Sequence, residues 1–261
     1  MKDFKDIVKR LLTTKVFWAG AAAFALLYTM FSQGNEEVTP TSVAASDRKL
    51  PIYSVDSKEK VVALTFDAAW GNEDTMKILD ILKENDVKVT FFMTGEWVEK
   101  YPEDVKKIAE EGHVLGNHSE NHKKMSELSK DECKEEIMAV HNKVKELTGK
   151  EMEVFRPPYG DYDDKLVDVS YEVDYFPIQW SVDSLDWKNY GVNSIIDTVV
   201  NHKALNNGAI ILMHNGSKFT ADALQGVIDG LKEKGYSFVT IPELIMRENY
   251  VVDHTGKQVK R

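Results

Sequence analysis

From Glu59 onward the chain alternates between short runs of apolar and β-branched residues and stretches in which apolar positions recur every three or four residues. The first pattern predicts buried strands and the second amphipathic helices. "KVVALTF", "VKVTFFMTG", "HVLGNHS", "MEVFRPPYG", "VDYFPIQWSVD", "GAIILMH" and "SFVTI" read as strands. Between them, "NEDTMKILDILKEN" carries Met76, Leu79 and Leu82 at helical spacing, and "EDVKKIAEEG" closes on Gly112. "SKDECKEEIMAVHNKVKELTG" runs from Ser129, a candidate N-cap, to Gly149, a candidate C-cap. "GVNSIIDTVVNHKAL" and "ALQGVIDGLKEKG" supply two further helices. Strands alternating with helices predict an α/β fold with a parallel sheet, and about seven such units suit a closed barrel better than an open sheet.

The N-terminal pattern differs. Lys2, Lys5, Lys9, Arg10 and Lys15 precede the uncharged run "VFWAGAAAFALLYTMF". That order predicts a membrane anchor within residues 1–32, with the N-terminus inside and the rest of the chain outside, or a signal peptide cleaved near Ser32-Gln33-Gly34. Residues 33–58 are polar, with Pro40 and Pro51, and read as a linker. Residues 59–250 form the expected domain, and the charged residues 251–261 a frayed tail. The expected location is the cell membrane, single-pass with the domain extracytoplasmic, or secretion if the segment is removed.

Composition narrows the chemistry. A formal net charge of −10 excludes an extended nucleic-acid-binding surface. The lone Cys133 permits neither an intramolecular disulfide nor a cysteine metal site, and its helical context reads as a small buried side chain. Chemistry gathers at the C-terminal ends of strands in folds of this class. Those ends carry Asp67, Asn117-His118, Arg156-Pro157-Pro158-Tyr159, Asp183 with Asp186-Trp187, and His214. "HSENH" spaces His118 and His122 so that one helical turn would present both imidazoles to one metal ion. An H-x-x-x-H pair alone is more often two surface histidines, and Asp183 alone reads equally as a turn residue. Taken together, two histidines on a metal, Asp67 as base beside Arg156 and His214 as acid describe metal-assisted hydrolysis of an amide. His113, His141, His202 and His254 fit no constellation.

The ordered motifs "TFD", "HSENH", "RPPY", "DSLDW" and "LMH" resemble those of the polysaccharide deacetylases, the carbohydrate esterase family 4 with its NodB-homology domain, over about residues 59–250. The resemblance implies a distorted (β/α)7 barrel and metal-dependent removal of acetyl groups from glycans. It implies Asp67 as general base, His214 as general acid with Asp186 as its carboxylate partner, and Arg156 tuning Asp67. It further implies His118 and His122 as metal ligands to a divalent ion, zinc first and cobalt as an alternative. The Tyr159 backbone N–H would hold the oxyanion, and Trp187 and Leu212 would wall the acetyl pocket.

The family pattern carries a second aspartate, a third metal ligand, where this chain has Ala68. A methyl group binds no metal, so the expected site is weakened to two protein ligands. "TFDAAWG" and "TGEW" look similar to the sporulation and cell-wall branches of the family. Three readings follow: an active deacetylase with a looser metal site, a glycan-binding module with catalysis lost, and a secreted xylan or chitin deacetylase, which the anchor and Ala68 disfavour. The expected substrate is peptidoglycan, at N-acetylglucosamine or N-acetylmuramic acid units, including those of spore cortex.

Overall fold

The computed structural model describes residues 48–261; the expected membrane segment and most of the expected linker lie outside the described residues. Among the described residues no helix is long and apolar enough to cross a membrane.

The sheet is built around β2 (Val61–Ala68). On one side it pairs in parallel with β3 (Thr90–Met93), which leads on to β4 (Val114–Asn117), β5 (Val154–Phe155) and β6 (Phe176–Pro177). On the other side it pairs in parallel with β8 (Ala209–His214), which is also paired by β7 (Val182–Asp183) and antiparallel by β1 (Ser54–Val55). β9 (Ser237–Phe238) pairs with the start of β2. The sheet curls into a half-barrel: Ile52 bridges Ile178 just beyond β6, while β1 two residues later pairs with β8. The rim strands β5, β6 and β7 are only two residues long each, shorter than their apolar runs suggest.

Helices cover the convex face. They are α1 (Thr75–Glu84), α2 (Gly95–Lys100), α3 (Pro102–Glu110), α4 (Lys130–Thr148), α5 (Asp164–Glu172), α6 (Val192–Val200) and α7 (Thr220–Glu233). Strand alternation divides the core. Val62, Leu64, Phe66 and Ala68 join the helix-side cluster, whereas Ala63 joins Phe92, Val154, Ile178 and Ile210 in a second cluster. The short helix α8 (Ile241–Leu244) contributes Ile241 to that second cluster and sits under β3, its Ile241 N–H donating to Thr90 Oγ1 at 3.1 Å. In α4 the capping box of Ser129 with Glu132 and the left-handed Gly149 end the helix where the sequence indicates. Cys133 is buried there, its Sγ directed to the Met125 carbonyl.

Three expectations need correction. The linker does not extend to residue 58: Ile52 is fully buried and the sheet begins there. The C-terminal tail is not frayed: β10 (Tyr250–Val252) and β11 (Lys257–Lys260) form a hairpin whose β11 pairs in parallel with β1. The domain therefore runs past residue 250. Met76 is exposed rather than part of the packed stripe of α1, which consists of Thr75, Ile78, Leu79 and Leu82.

Candidate active site

The curl brings the C-terminal ends of β2, β4, β5, β7 and β8 around one cleft of about 430 Å³, lined by Asp67, His118, His122, Tyr159, Trp187 and His214 among others. Register does much of the placing: Asp67 on β2 is the Cα partner of His214 on β8 and of Phe92 on β3. A strand interior fixes these backbones, so the base and acid candidates stand on rigid neighbours rather than on loops.

Asp67 is nearly fully buried and is paired with Arg156, whose Nη1 donates to Asp67 Oδ1 at 2.6 Å. Arg156 has no solvent exposure; Nη2 donates to the Gln179 carbonyl at 3.2 Å, and the guanidinium lies over the Phe92 ring at 4.1 Å. Burial alone would raise the Asp67 carboxyl, but the opposing pull of Arg156, then His118 and His214, outweighs it and holds Asp67 below the usual carboxylate range. Asp67 is therefore ionised at neutral pH inside a low-dielectric cleft.

On the neighbouring strand His214 is held from two directions by Asp186. Asp186 Oδ1 contacts His214 Nδ1 at 2.7 Å, and Oδ2 accepts the His214 backbone N–H at 2.7 Å. Asp186 is fully buried and also accepts from the Trp187 N–H and the Thr220 hydroxyl. Burial opposes a charged imidazole, yet the bond and charge of Asp186 outweigh it and raise the His214 pKa above its ordinary value. Nδ1 being occupied, Nε2 is the nitrogen left for a reacting atom.

His118 follows β4, and its Nδ1 meets the Arg156 carbonyl at 2.7 Å, which leaves Nε2, 3.5 Å from Asp67 Oδ2, facing the cleft. Burial pushes its pKa down to about 4, and burial likewise lowers that of His122. Both are neutral imidazoles at pH 7. The expectation of a helical turn is incorrect. Ser119 and His122 both adopt left-handed backbone, and the segment is an irregular loop tied by Ser119 N–H to Asn117 Oδ1 and His122 N–H to Ser119 Oγ. The loop still brings the two rings to 4.9 Å between centroids. Neutral imidazoles, one with its second nitrogen fixed by a carbonyl, are a donor set suited to a divalent ion. Among the described residues, however, no group of three or more His, Cys, Asp or Glu is arranged to hold a metal ion. Ala68 is fully buried within the helix-side apolar cluster, and the cleft wall beside Asp67 is made by Ala69 and Trp70 instead.

Tyr159 sits in a tight turn after Pro157-Pro158 with φ +60, and its ring is exposed and 4.5 Å from that of His122. Leu212 and Trp187 both line the cleft, Leu212 buried and Trp187 half-exposed. Asp183 lines it too while accepting the Leu185 N–H, so it serves as a turn residue and as part of the wall. His113 is buried against the Val89 N–H and His141 contacts the Tyr175 hydroxyl; neither lies in the cleft.

Sequence reasoning missed Trp70, Trp180 and Thr220. Trp70 stacks on His214 with centroids 5.5 Å apart, its loop pinned at the Gly71 carbonyl by Trp97 Nε1 and Asn215 Nδ2. A tryptophan three residues past the catalytic-type aspartate was a signal available in "TFDAAWG".

The polysaccharide deacetylase family model matches residues 54–177. The chain is 41% identical over 187 residues to a peptidoglycan-N-acetylglucosamine deacetylase of Bacillus cereus, covering 70% of this chain and 67% of that protein. It is 35% identical over 200 residues to the peptidoglycan-N-acetylmuramic acid deacetylase PdaA of Bacillus subtilis, covering 75% of each. Among solved structures, a CE4 family pseudoenzyme from Bacillus anthracis superposes with a TM-score of 0.72 at 34% identity, covering 81% of this chain and 73% of that one. With the motifs in order and the strand ends converging on one cleft, the chain belongs to the polysaccharide deacetylase family.

Proposed function

We propose that the chain is a metal-dependent hydrolase that removes acetyl groups from the N-acetylated sugars of a cell-wall glycan, with peptidoglycan as the substrate. The observation that carries this reading is the pair of opposed, buried devices at adjacent register positions: Asp67 held ionised by Arg156, and His214 held protonatable by Asp186. Two relatives named for peptidoglycan deacetylation support the substrate class.

In this reading the acetamide carbonyl lies between the two devices. Asp67 takes a proton from the attacking water. The backbone N–H of Tyr159, in its left-handed turn, donates to the developing oxyanion. Leu212 and Trp187 pack the acetyl methyl. His214 gives its proton to the departing nitrogen, so the carbonyl gains oxygen, the C–N bond breaks, and acetate and a free sugar amine leave. His118 and His122 would hold a divalent ion, zinc or cobalt, which supplies polarisation of the carbonyl when bound. With only two protein ligands, the ion would exchange readily. The experiment is acetate release from peptidoglycan and chitin oligomers: metal-dependent release lost in His118→Ala supports the reading, and release unchanged by that substitution contradicts the assigned metal site.

A second reading has a specific observation behind it. Position 68 offers no carboxylate, and a pseudoenzyme of the same family shares the fold. A chain that binds glycan but releases no acetate with any metal would be a binding module. The N-terminal apolar run, as a single-pass anchor, would hold either version beside the wall, and the likeness of "TFDAAWG" to sporulation-type relatives extends the proposal to spore cortex.

A further inference from the structure

Beside the acetyl pocket the chain builds a small, stiff projection. Asp186–Lys188 form a single 3-10 turn flanked by Leu185 at φ +55 and Asn189 at φ +56. Two non-glycine residues in left-handed conformation within five positions carry an energetic cost, and leucine is poorly suited to it. The surroundings enforce it: Asp183 Oδ1 accepts the Leu185 N–H, Ser184 Oγ accepts the Asp186 N–H, and Asp186 Oδ1 accepts the Trp187 N–H. The chain holds this shape with Asp186, the same buried carboxylate that grips His214.

The turn displays Trp187, Lys188 and Tyr190 on the surface, with Trp187 49% and Tyr190 67% exposed. Lys188 Nζ lies 5.0 Å from the Trp187 ring centroid and 5.9 Å from that of Tyr190. An ammonium is thus stationed between two exposed aromatic faces, one of which lines the cleft. Aromatic faces pack against sugar rings through their C–H surfaces, and a cation held over them is a fixed positive point. Lys188 forms no salt bridge among the described residues. On a chain of formal net charge −10, Lys188 is a cation with no carboxylate partner among the described residues, held beside the cleft-lining Trp187, and so is open to a negative group.

We propose that Trp187, Lys188 and Tyr190 form a subsite for a carboxylate-bearing sugar that lies in or next to the acetyl pocket, so that the glycan is read as acidic and not merely as N-acetylated. This rests on the glycan reading above but not on turnover: a binding module would show it as well as an enzyme. The carboxylate could come from a muramic acid lactyl group or from a stem peptide, and the test separates them.

The test is binding by the full chain, measured by titration calorimetry, to peptide-free muramic-acid-containing oligosaccharides, to their carboxyl methyl esters, and to the peptide-bearing forms. The wild type is expected to bind the peptide-free acid about two- to fivefold more tightly than the ester, the range of an exposed ion pair, with the preference shrinking as salt rises. Lys188→Gln should bring the ratio to one, Lys188→Arg should keep it, and Tyr190→Ala should weaken both forms. A preference seen only with peptide-bearing glycan overturns the sugar-carboxylate assignment in favour of the peptide. Equal binding of acid and ester by the wild type, or a preference that survives Lys188→Gln, overturns the subsite. Absence of binding to every glycan, alongside absence of acetate release, overturns the glycan reading itself.

Discussion

Asp67 and Arg156 are both buried, so neither changes without consequence for the other. Asp67→Asn removes the proposed base, and acetate release should fall to background. It also leaves a buried guanidinium without its counter-charge, which costs about 3 kcal/mol. Urea melts should register that loss, and the double variant Asp67→Asn with Arg156→Met should regain stability without regaining activity. A single variant that is both active and fully stable would contradict the pairing. His214 carries a separate prediction. Its raised pKa keeps the imidazole protonated above the ordinary value of about 6.5, and the acid is lost as pH climbs through the raised value. The alkaline limb of kcat/KM should therefore lie above that point, and Asp186→Asn should move it to lower pH. These residues were legible because each sits at a strand end in a motif of fixed order. Trp70 stands in the first motif, but its role and that of Thr220 were not legible, because they arise from stacking and hydrogen bonding across segments distant in sequence.

At the scale of elements, Gly208 has φ +79, and a Cβ there would stand 1.9 Å from the Val55 carbonyl oxygen. Its own carbonyl accepts the Val55 N–H, so β1 crosses the start of β8 in close approach. Gly208→Ala should destabilise by about 2 kcal/mol or more, whereas Gly149→Ala, at a C-cap facing open space, should cost only about 1 kcal/mol. Equal effects in denaturant would argue against the close crossing. The long strands and helices could be read from periodicity because burial imposes it. The terminal hairpin could not be read so easily. Its strands are mostly half-buried and carry no clean apolar alternation, and its signal was the "DHTG" turn, where Asp253 accepts from Thr255 and Lys257 and Gly256 takes φ +82. Removal of residues 249–261 should lower the melting temperature, expose Ile52 and strip Met246 of the buried Gln258 amide, which bonds both its N–H and its carbonyl. Unchanged melting would mean the hairpin is an appendage.

For the molecule as a whole, the curl of the sheet assembles the candidate site. It turns five strand ends, separated by up to about half the chain, into one cleft, and the alternation along β2 assigns Asp67 to that cleft and Ala68 to the apolar layer behind it. The α/β class and the converging ends were legible because the sequence alternates strand and helix. The half-barrel curl with its lone Ile52–Ile178 bridge, in place of the expected closed barrel, was not, because a single bridge leaves no periodic trace. The account turns on whether two imidazoles, an ionised base and a carboxylate-bound acid suffice for hydrolysis. The measurement that tests it most directly is acetate release by the full chain from purified peptidoglycan, first stripped of metal and then with zinc restored. Acetate that appears only with metal, and not from Asp67→Asn, is the predicted result; a folded, glycan-binding chain that releases none under any metal would contradict it.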